Sequence, residues 1–233
     1  MRAFLSAFAA SAALYGVAGA AVTTTIDFEG LTAGTIVDNE FGPLATFSTV
    51  SNGSNNAAVV FNTNAPSGND SDLAAPFSDA VGAGGPLSPG NILIVSEDAR
   101  GVSCDAFTCT PADDEARGGE ITVTFSREVT FQGLNVFDVS DGRASFTASF
   151  FDLNDAFITS ISAADNVGDQ EYQAFANLNI AGVFKAVLTF TGSGAVDDLT
   201  FDVAEVPIPG ALPLLLTGLG LGGLISRKRK KAA

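Results

Sequence analysis

The sequence predicts an all-β fold, an antiparallel β-sandwich of the jelly-roll type, over residues 21–205 of the 233-residue chain. Apolar and polar residues alternate with a period of two in several short runs, as in strands with one buried face. Clusters of Gly, Asn, Asp and Ser separate these runs, and 19 Phe residues supply apolar surface for a packed core. Short strands with frequent turns are typical of sandwiches and jelly rolls.

The expected strands follow this pattern along the chain. In one of them the apolar positions are Phe184, Ala186, Leu188 and Phe190. Residues 51–90 are rich in Asn, Ser, Gly, Ala and Pro, which indicates long loops laid over the sandwich. The pattern predicts strands around residues 23–30, 57–62, 121–125, 146–150, 184–190 and 199–203.

Residues 1–20 have the features of a signal peptide. Arg2 supplies the positive charge, residues 3–17 form an apolar run, and Ala18-Gly19-Ala20 is an A-x-A cleavage signature. We therefore expect export by the Sec machinery and cleavage by signal peptidase, with the mature protein beginning at Ala21.

Residues 206–233 predict a single transmembrane segment followed by a basic stop-transfer cluster. No charge occurs from residue 211 to residue 225, and cations on one side of an apolar stretch stay cytoplasmic. The span is shorter than the roughly 20 residues needed to cross a bilayer, and its glycines weaken it as a helix. It therefore suits a segment that a membrane protease unwinds. The basic cluster consists of Arg227, Lys228, Arg229, Lys230 and Lys231.

This tail resembles the PEP-CTERM class of bacterial sorting signals, most closely the V-P-L-P-A variant. Val206, Pro207 and Pro209 match the motif, whereas Ile208 and Gly210 depart from it. The resemblance implies recognition and cleavage by an exosortase-type membrane enzyme in a Gram-negative bacterium that makes exopolysaccharide. It implies transient anchoring in the inner membrane and a final location in the envelope or outside the cell.

The charge of the chain excludes nucleic acid as a partner. The chain has 26 acidic and 11 basic residues, and six of the basic residues lie in the predicted signal and tail. Residues 21–205 therefore carry a net charge of −21. Such a surface repels nucleic-acid phosphates and attracts cations, calcium foremost outside the cytoplasm.

The two cysteines, Cys104 and Cys109, predict a disulfide. An even count at close spacing is typical of an exported protein. A C-x₄-C pair without histidine is a poor zinc site, because zinc takes four ligands. The bond is expected to shape the acidic loop of residues 98–120.

Composition argues against an enzyme. The chain has no histidine, which removes Ser-His-Asp and Cys-His catalysis. A glycosidase working with two carboxylates survives this test. However, the chain lacks Trp, and residues 21–205 contain one Tyr, so aromatic sugar platforms are scarce. The candidate acids are Glu97, Asp98, Asp113, Asp114, Glu115, Asp197 and Asp198.

The two ends of the domain predict a structural calcium site. Asp27 and Glu29 lie in the first strand pattern, on one face by alternation. Asp197 and Asp198 lie where a loop enters the last strand. This arrangement resembles galactose-binding-like jelly rolls and carbohydrate-binding modules, whose first and last strands meet at a calcium site. Carboxylates from both ends plus loop carbonyls would supply the six to eight oxygens that Ca²⁺ takes. The alternative is that these acids merely face water. A second, weaker candidate comprises Asp98, Asp105, Asp113, Asp114 and Glu115.

Two functional classes follow. One is a non-catalytic surface or extracellular-matrix protein associated with exopolysaccharide, and the other is a calcium-dependent carbohydrate-binding module. A groove lined by aromatics on one face of the sandwich would favour the second class. The many Phe residues lie in alternating core patterns, so the sequence favours the first class.

Overall fold

The computed structural model describes residues 21–53, 57–67, 70–82, 84–97, 103–139, 145–163 and 167–203. These residues form β-strands and no helix, so the prediction of an all-β fold is confirmed. No helix long and apolar enough to cross a membrane occurs among them. The predicted signal peptide and sorting tail, with motif residues Val206, Pro207 and Pro209 and cluster residues 227–231, lie outside the described residues.

Residues Thr23–Val203 form one compact unit. The strands are β1 (Val22–Ile26), β2 (Ala45–Ser51), β3 (Ala58–Asn62), β4 (Ser78–Asp79), β5 (Asn91–Val95), β6 (Ser103–Cys104), β7 (Cys109–Thr110), β8 (Gly119–Phe137), β9 (Phe146–Phe151), β10 (Phe157–Ser162), β11 (Glu171–Phe175), β12 (Ile180–Phe190) and β13 (Ala195–Val203).

The 19-residue strand β8 organises the sheet. Its first half pairs antiparallel with β2 and β12, and its second half pairs antiparallel with β13 and β11. From β12 the sheet continues to β9 and β10, and from β13 to β5 and β3. The neighbours of β8 and the pairs β9–β10, β9–β12, β5–β13 and β3–β5 are antiparallel, whereas the two-residue β4 runs parallel to β11. Most strands thus depend directly or indirectly on β8.

Two hydrophobic clusters pack on the strands. The larger cluster takes alternate residues of β8, β9, β12 and β13 and includes edge-to-face phenylalanine pairs, such as Phe125 with Phe201 at 4.9 Å between ring centroids. The smaller cluster is built on β3 and β5, with Phe77 against Phe137 at 4.8 Å. Such pairs add about 0.5–1.5 kcal/mol beyond the burial of their area.

Two expectations about individual segments need correction. Residues 51–90 contain the strand expected at residues 57–62, which is β3, but Leu73 and Phe77 outside that strand are also fully buried, so more of this segment belongs to the core than loops laid over a sandwich would. In β12 the pairing with β8 shifts register at Val183, and Phe184 is only half buried. Val183 takes the core position instead, because the irregularity reverses which side chain faces inward.

The first and last strands are neighbours, as the sequence predicts, since β1 pairs with β13. Side chains reinforce the pairing on its exposed face. The Thr23 hydroxyl donates to the Asp202 carboxylate at 2.5 Å, and the hydroxyls of Thr25 and Thr200 lie 3.1 Å apart. This pairing brings the acids that flank both strands to one region.

Candidate functional site

The pairing of β1 with β13 assembles the joined-ends cluster, defined as Asp27, Glu29, Asp197 and Asp198. Asp27 and Glu29 are exposed, but they do not continue a strand as alternation predicted. β1 ends at Ile26, and Phe28 adopts a left-handed backbone with φ of 56°. The fully buried Phe28 ring packs on Phe41 at 5.7 Å. This packing holds the turn from which Asp27 and Glu29 project.

Glu29 fixes the turn to the start of β5. Its carboxylate accepts the Asn91 backbone N–H at 2.6 Å, and the Asn91 amide donates to the Leu31 carbonyl at 2.8 Å. Gly90 permits this approach. A Cβ at Gly90 would lie 2.3 Å from the Glu29 carboxylate, and its φ of +84° also favours glycine. Glu29 is therefore a structural acceptor as well as an acid.

Asp197 and Asp198 occupy an irregularity in β13. The register against β8 shifts between Asp197 and Thr200, and Asp198 has a φ of 52°. Asp198 accepts the Asn135 side-chain amide at 2.9 Å. Asp197 is 2% exposed, and its Oδ1 atom is buried without a hydrogen-bond partner. A buried carboxylate oxygen left unpaired is costly, so a proton or a cation is expected there.

The electrostatics confirm that the four acids interact. Burial, followed by the charge of Asp198, raises the pKa of Asp197 to about 9, and Glu29 and Asp27 contribute in the same direction. Burial also raises the pKa of Asp198, followed by the charges of Asp27 and Glu29. The structure therefore gathers the four predicted residues into one electrostatic group.

The fit of this group to calcium is mixed. The donors are hard oxygens, and one buried oxygen is unpartnered, which suits Ca²⁺. Against this, Glu29 and Asp198 already accept hydrogen bonds, and the described residues contain no group of three or more acidic or cysteine side chains arranged to hold a metal ion. Calcium at the joined ends stays a prediction.

A second acidic group, which the sequence did not reveal, lies among loops. We define the buried loop cluster as Asp70, Asp114, Asp138 and Ser193. The Ser193 hydroxyl contacts the carboxylates of both Asp114 and Asp138, the latter at 3.0 Å. Asp114 also accepts the Gly194 N–H at 3.0 Å, and its own N–H donates to Asp70 at 2.7 Å. The cluster thus ties together four stretches of chain.

Burial dominates the electrostatics of this cluster. It raises the pKa of Asp70 to about 10, with the Asp114 charge as the next cause. Burial raises the pKa of Asp138 to about 7, with the Asp72 charge next, and also raises that of Asp114. Asp138 is 1% exposed, and its Oδ1 atom has no hydrogen-bond partner.

The described members of the second group proposed from sequence have different partners. Asp105 is exposed and accepts the N–H groups of Phe107 and Thr108, both at 2.7 Å, which lowers its pKa. Glu115 is buried and pairs with Arg117 at 2.9 Å. Asp113 and Asp114 are buried, and Asp114 turns toward Asp70 instead. Asp98 lies outside the described residues.

The predicted disulfide is present between Cys104 and Cys109. It joins the two short strands β6 and β7. Cys109 is fully buried, and its N–H donates to the Gly34 carbonyl at 2.8 Å. The disulfide loop is therefore attached to the domain just before the chain reaches Asp114.

A polar groove, which we call the outer groove, is lined by residues of β1, β8, β11 and β13. Its cavity volume is about 560 Å³, within the usual range of ligand pockets. Gly133 lies in its floor, where a Cβ would meet the Phe175 carbonyl at 2.1 Å. Hydrogen bonds order its walls, since Asp202 accepts from Gln132 at 2.5 Å. The polar lining residues are Thr23, Thr25, Gln132, Asn135, Asn177, Asp198, Thr200 and Asp202.

Comparison with known proteins gives distant likenesses only. No protein-family model and no curated protein matches the chain. Two solved DUF4465 family proteins are similar in structure. The protein from Bacteroides caccae is 12% identical, with a TM-score of 0.39, over 85% of this chain and 92% of that one. The protein from Bacteroides ovatus is 16% identical, with a TM-score of 0.37, over 78% and 89%.

A third solved structure, the enzymatically active domain of tailspike protein 4 of bacteriophage CBA120, is 14% identical with a TM-score of 0.34. It matches 71% of this chain and 20% of the tailspike chain. None of these likenesses assigns a family or an activity to the chain.

Proposed function

We propose that the chain is an exported, non-catalytic surface or extracellular-matrix protein that associates with polysaccharide through the outer groove. Sorting would be by signal peptidase at residue 20 and by an exosortase-type enzyme at the tail. The groove is the observation that carries the proposal. The disulfide between Cys104 and Cys109 supports export, because such bonds persist in oxidising compartments.

The chemistry of the groove suits hydroxyl-rich ligands. Three threonine hydroxyls, three amides from Gln132, Asn135 and Asn177, and two carboxylates from Asp198 and Asp202 line it. These groups offer both donors and acceptors, which sugar diols need in pairs. The half-buried Phe175 provides an apolar wall. The acids repel anionic polymers, so the preferred polysaccharide is neutral or carries amino groups.

The jelly-roll-like sandwich is part of the same proposal. Two hydrophobic clusters lie on the strands, and β8 contributes Phe131 to the larger and Phe137 to the smaller. A strand that serves two cores supports a two-layer arrangement. The groove would then occupy an outer face, leaving the inner faces to the core.

Calcium dependence is the second candidate property of this function. Asp198 belongs to the joined-ends cluster and also lines the groove. A calcium ion bound by Asp27, Glu29, Asp197 and Asp198 would fix the position of the Asp198 carboxylate. It would thereby order one wall of the groove without touching the sugar.

A glycan array tests binding by the groove, with the full-length chain purified from a Gram-negative host in mild detergent. Ala174→Phe places a ring in the groove from an exposed position on β11. Ala181→Phe makes the same change at an exposed position on β12 outside the groove lining. We expect Ala174→Phe to weaken glycan binding at least tenfold and Ala181→Phe to leave it unchanged. Equal binding by both variants, or no glycan held by the unmodified chain, would refute the proposal.

Intact-mass analysis of the protein from its native host tests the sorting. We expect a product that begins at Ala21 and lacks residues 227–231. A product that retains Met1 or the basic cluster would contradict the predicted processing.

A further inference from the structure

We propose that the buried loop cluster is a second divalent-cation site, with Asp114, Asp138 and Ser193 as its nucleus and calcium as its ion. This site is independent of the joined-ends cluster and of the groove.

The contacts of Ser193 show what the cluster lacks. Its single hydroxyl lies against the carboxylates of Asp114 and Asp138. A serine hydroxyl has one proton to donate, so it cannot satisfy both carboxylates at once. The Oδ1 atom of Asp138 has no partner at all, in a residue that is 1% exposed. The hydrogen bonds of the cluster therefore leave one buried carboxylate oxygen, Asp138 Oδ1, unsatisfied.

A cation would satisfy the unpaired oxygen of Asp138 more completely than a hydrogen bond would. An ion beside the Asp138 carboxylate would contact its free oxygen and neutralise its charge, and the hydroxyl oxygen of Ser193 can also ligate metals. All of these donors are hard oxygens, which favours calcium over zinc or copper. Water and backbone carbonyls would complete a coordination number of six to eight.

The arrangement of the acids explains why they do not form a ready-made cage. Asp114 donates its backbone N–H to Asp70, and the two side chains also interact. Without an ion, buried carboxyls stabilise one another by hydrogen bonds in pairs. Binding would exchange these paired contacts for contacts with one ion.

The backbone conformation at Asp138 allows the carboxylate to be replaced by an amide. Asp138 has a φ of 53°, a left-handed conformation that Asn tolerates better than most residues. Asp138→Asn therefore keeps the shape and the backbone while removing the charge. Glu128→Gln is the matched control, since it removes one acid from an exposed position of β8. Of the two clusters, Asp198→Asn changes the joined-ends cluster alone, so it distinguishes that cluster from the buried loop cluster.

The experiment measures calcium stoichiometry by isothermal titration of the full-length chain after chelator treatment. We expect Asp138→Asn to lose one calcium site, or to bind it at least tenfold more weakly, while Glu128→Gln titrates like the unmodified chain. Asp198→Asn should leave this site unchanged. Ser193→Ala should weaken the same site and provides a second variant if Asp138→Asn does not fold. Unchanged calcium binding in both Asp138→Asn and Ser193→Ala, or no calcium bound by the unmodified chain, would overturn the proposal.

Discussion

The joined-ends cluster and the buried loop cluster bring acids together in different ways. At the joined ends, Glu29 and Asp198 accept hydrogen bonds from Asn91 and Asn135, and two of the four acids are exposed. In the loop cluster, the acids contact one another and a shared serine. Neutral donors from the fold stabilise the first group, whereas the second depends more on protons or ions. Both clusters contain a buried oxygen without a partner.

Calcium removal should have the largest effect on the melting temperature, because it should act on both clusters. An ion that binds only the folded state adds about 2.7 kcal/mol at a hundredfold excess over Kd. For a domain of this size, each occupied site should raise the melting temperature by about 5–10 °C. Melting curves in calcium, in chelator and in NaCl of equal ionic strength measure this. Identical curves in calcium and NaCl would mean that neither cluster binds an ion, since salt can only screen charge.

The variants Asp138→Asn and Asp198→Asn show how much each cluster contributes to the calcium-specific rise in melting temperature. Each should remove about half of the calcium-specific rise, and the double variant should remove nearly all of it. In chelator, Asp138→Asn should melt no lower than the unmodified chain, because it removes an unpaired buried charge. A loss of the whole calcium response in one single variant would show that the clusters are coupled.

The next largest effect is the pH dependence of the stability of the folded chain in chelator. Asp138 and Asp197 have pKa values of about 7 and 9 when folded, well above the usual value near 4 for an unfolded chain. Between these limits the folded state binds more protons, so stability should fall as pH rises from about 4 to about 9. Melting temperatures at intervals across this range measure the slope. The double variant Asp138→Asn with Asp197→Asn should make the slope shallower without abolishing it, because burial also raises the pKa values of Asp70, Asp114 and Asp198. An equal slope in both proteins would refute the assignment.

The smallest expected effect is that of reducing the disulfide. Reduction should affect the two clusters differently, because the disulfide lies closer in sequence to the loop cluster. Reduction of the bond between Cys104 and Cys109 should cost about 2 kcal/mol, because the loop that it closes is short. β7 leads within a few residues to Asp114, so reduction should weaken calcium binding at the loop cluster more than at the joined ends. Titrations of the reduced Asp138→Asn and Asp198→Asn variants measure the two sites separately. Equal weakening at both sites would contradict this.

The contrast between the clusters also shows what the sequence could predict. Asp197 and Asp198 are adjacent, Asp27 and Glu29 flank one residue, and both pairs adjoin strands whose pairing was expected. The loop cluster draws Asp70, Asp114, Asp138 and Ser193 from distant turns. No spacing in the sequence links them, because their proximity depends on how the loops fold over the sheet.

The fold was predictable to a similar extent. Period-two alternation located β9 and much of β8 and β13, where one face is buried. It failed at Phe184, where an irregular register reverses the faces, and at the all-buried β5, which has no alternation to read. The left-handed residues Phe28 and Asp198, which position the joined ends, have no signal of their own in the sequence.

The central position of β8 has a consequence for the order of folding. Its neighbours β12 and β13 are the last strands of the part of the chain that the structure describes, and β13 ends at Val203. A chain that crosses a membrane from its N-terminus cannot complete its central sheet until these strands have emerged. Pairings between segments so far apart in sequence also form slowly. If the chain is exported as proposed, this architecture would delay folding until nearly the whole domain has been translocated, and the chain would stay unfolded enough to cross the membrane.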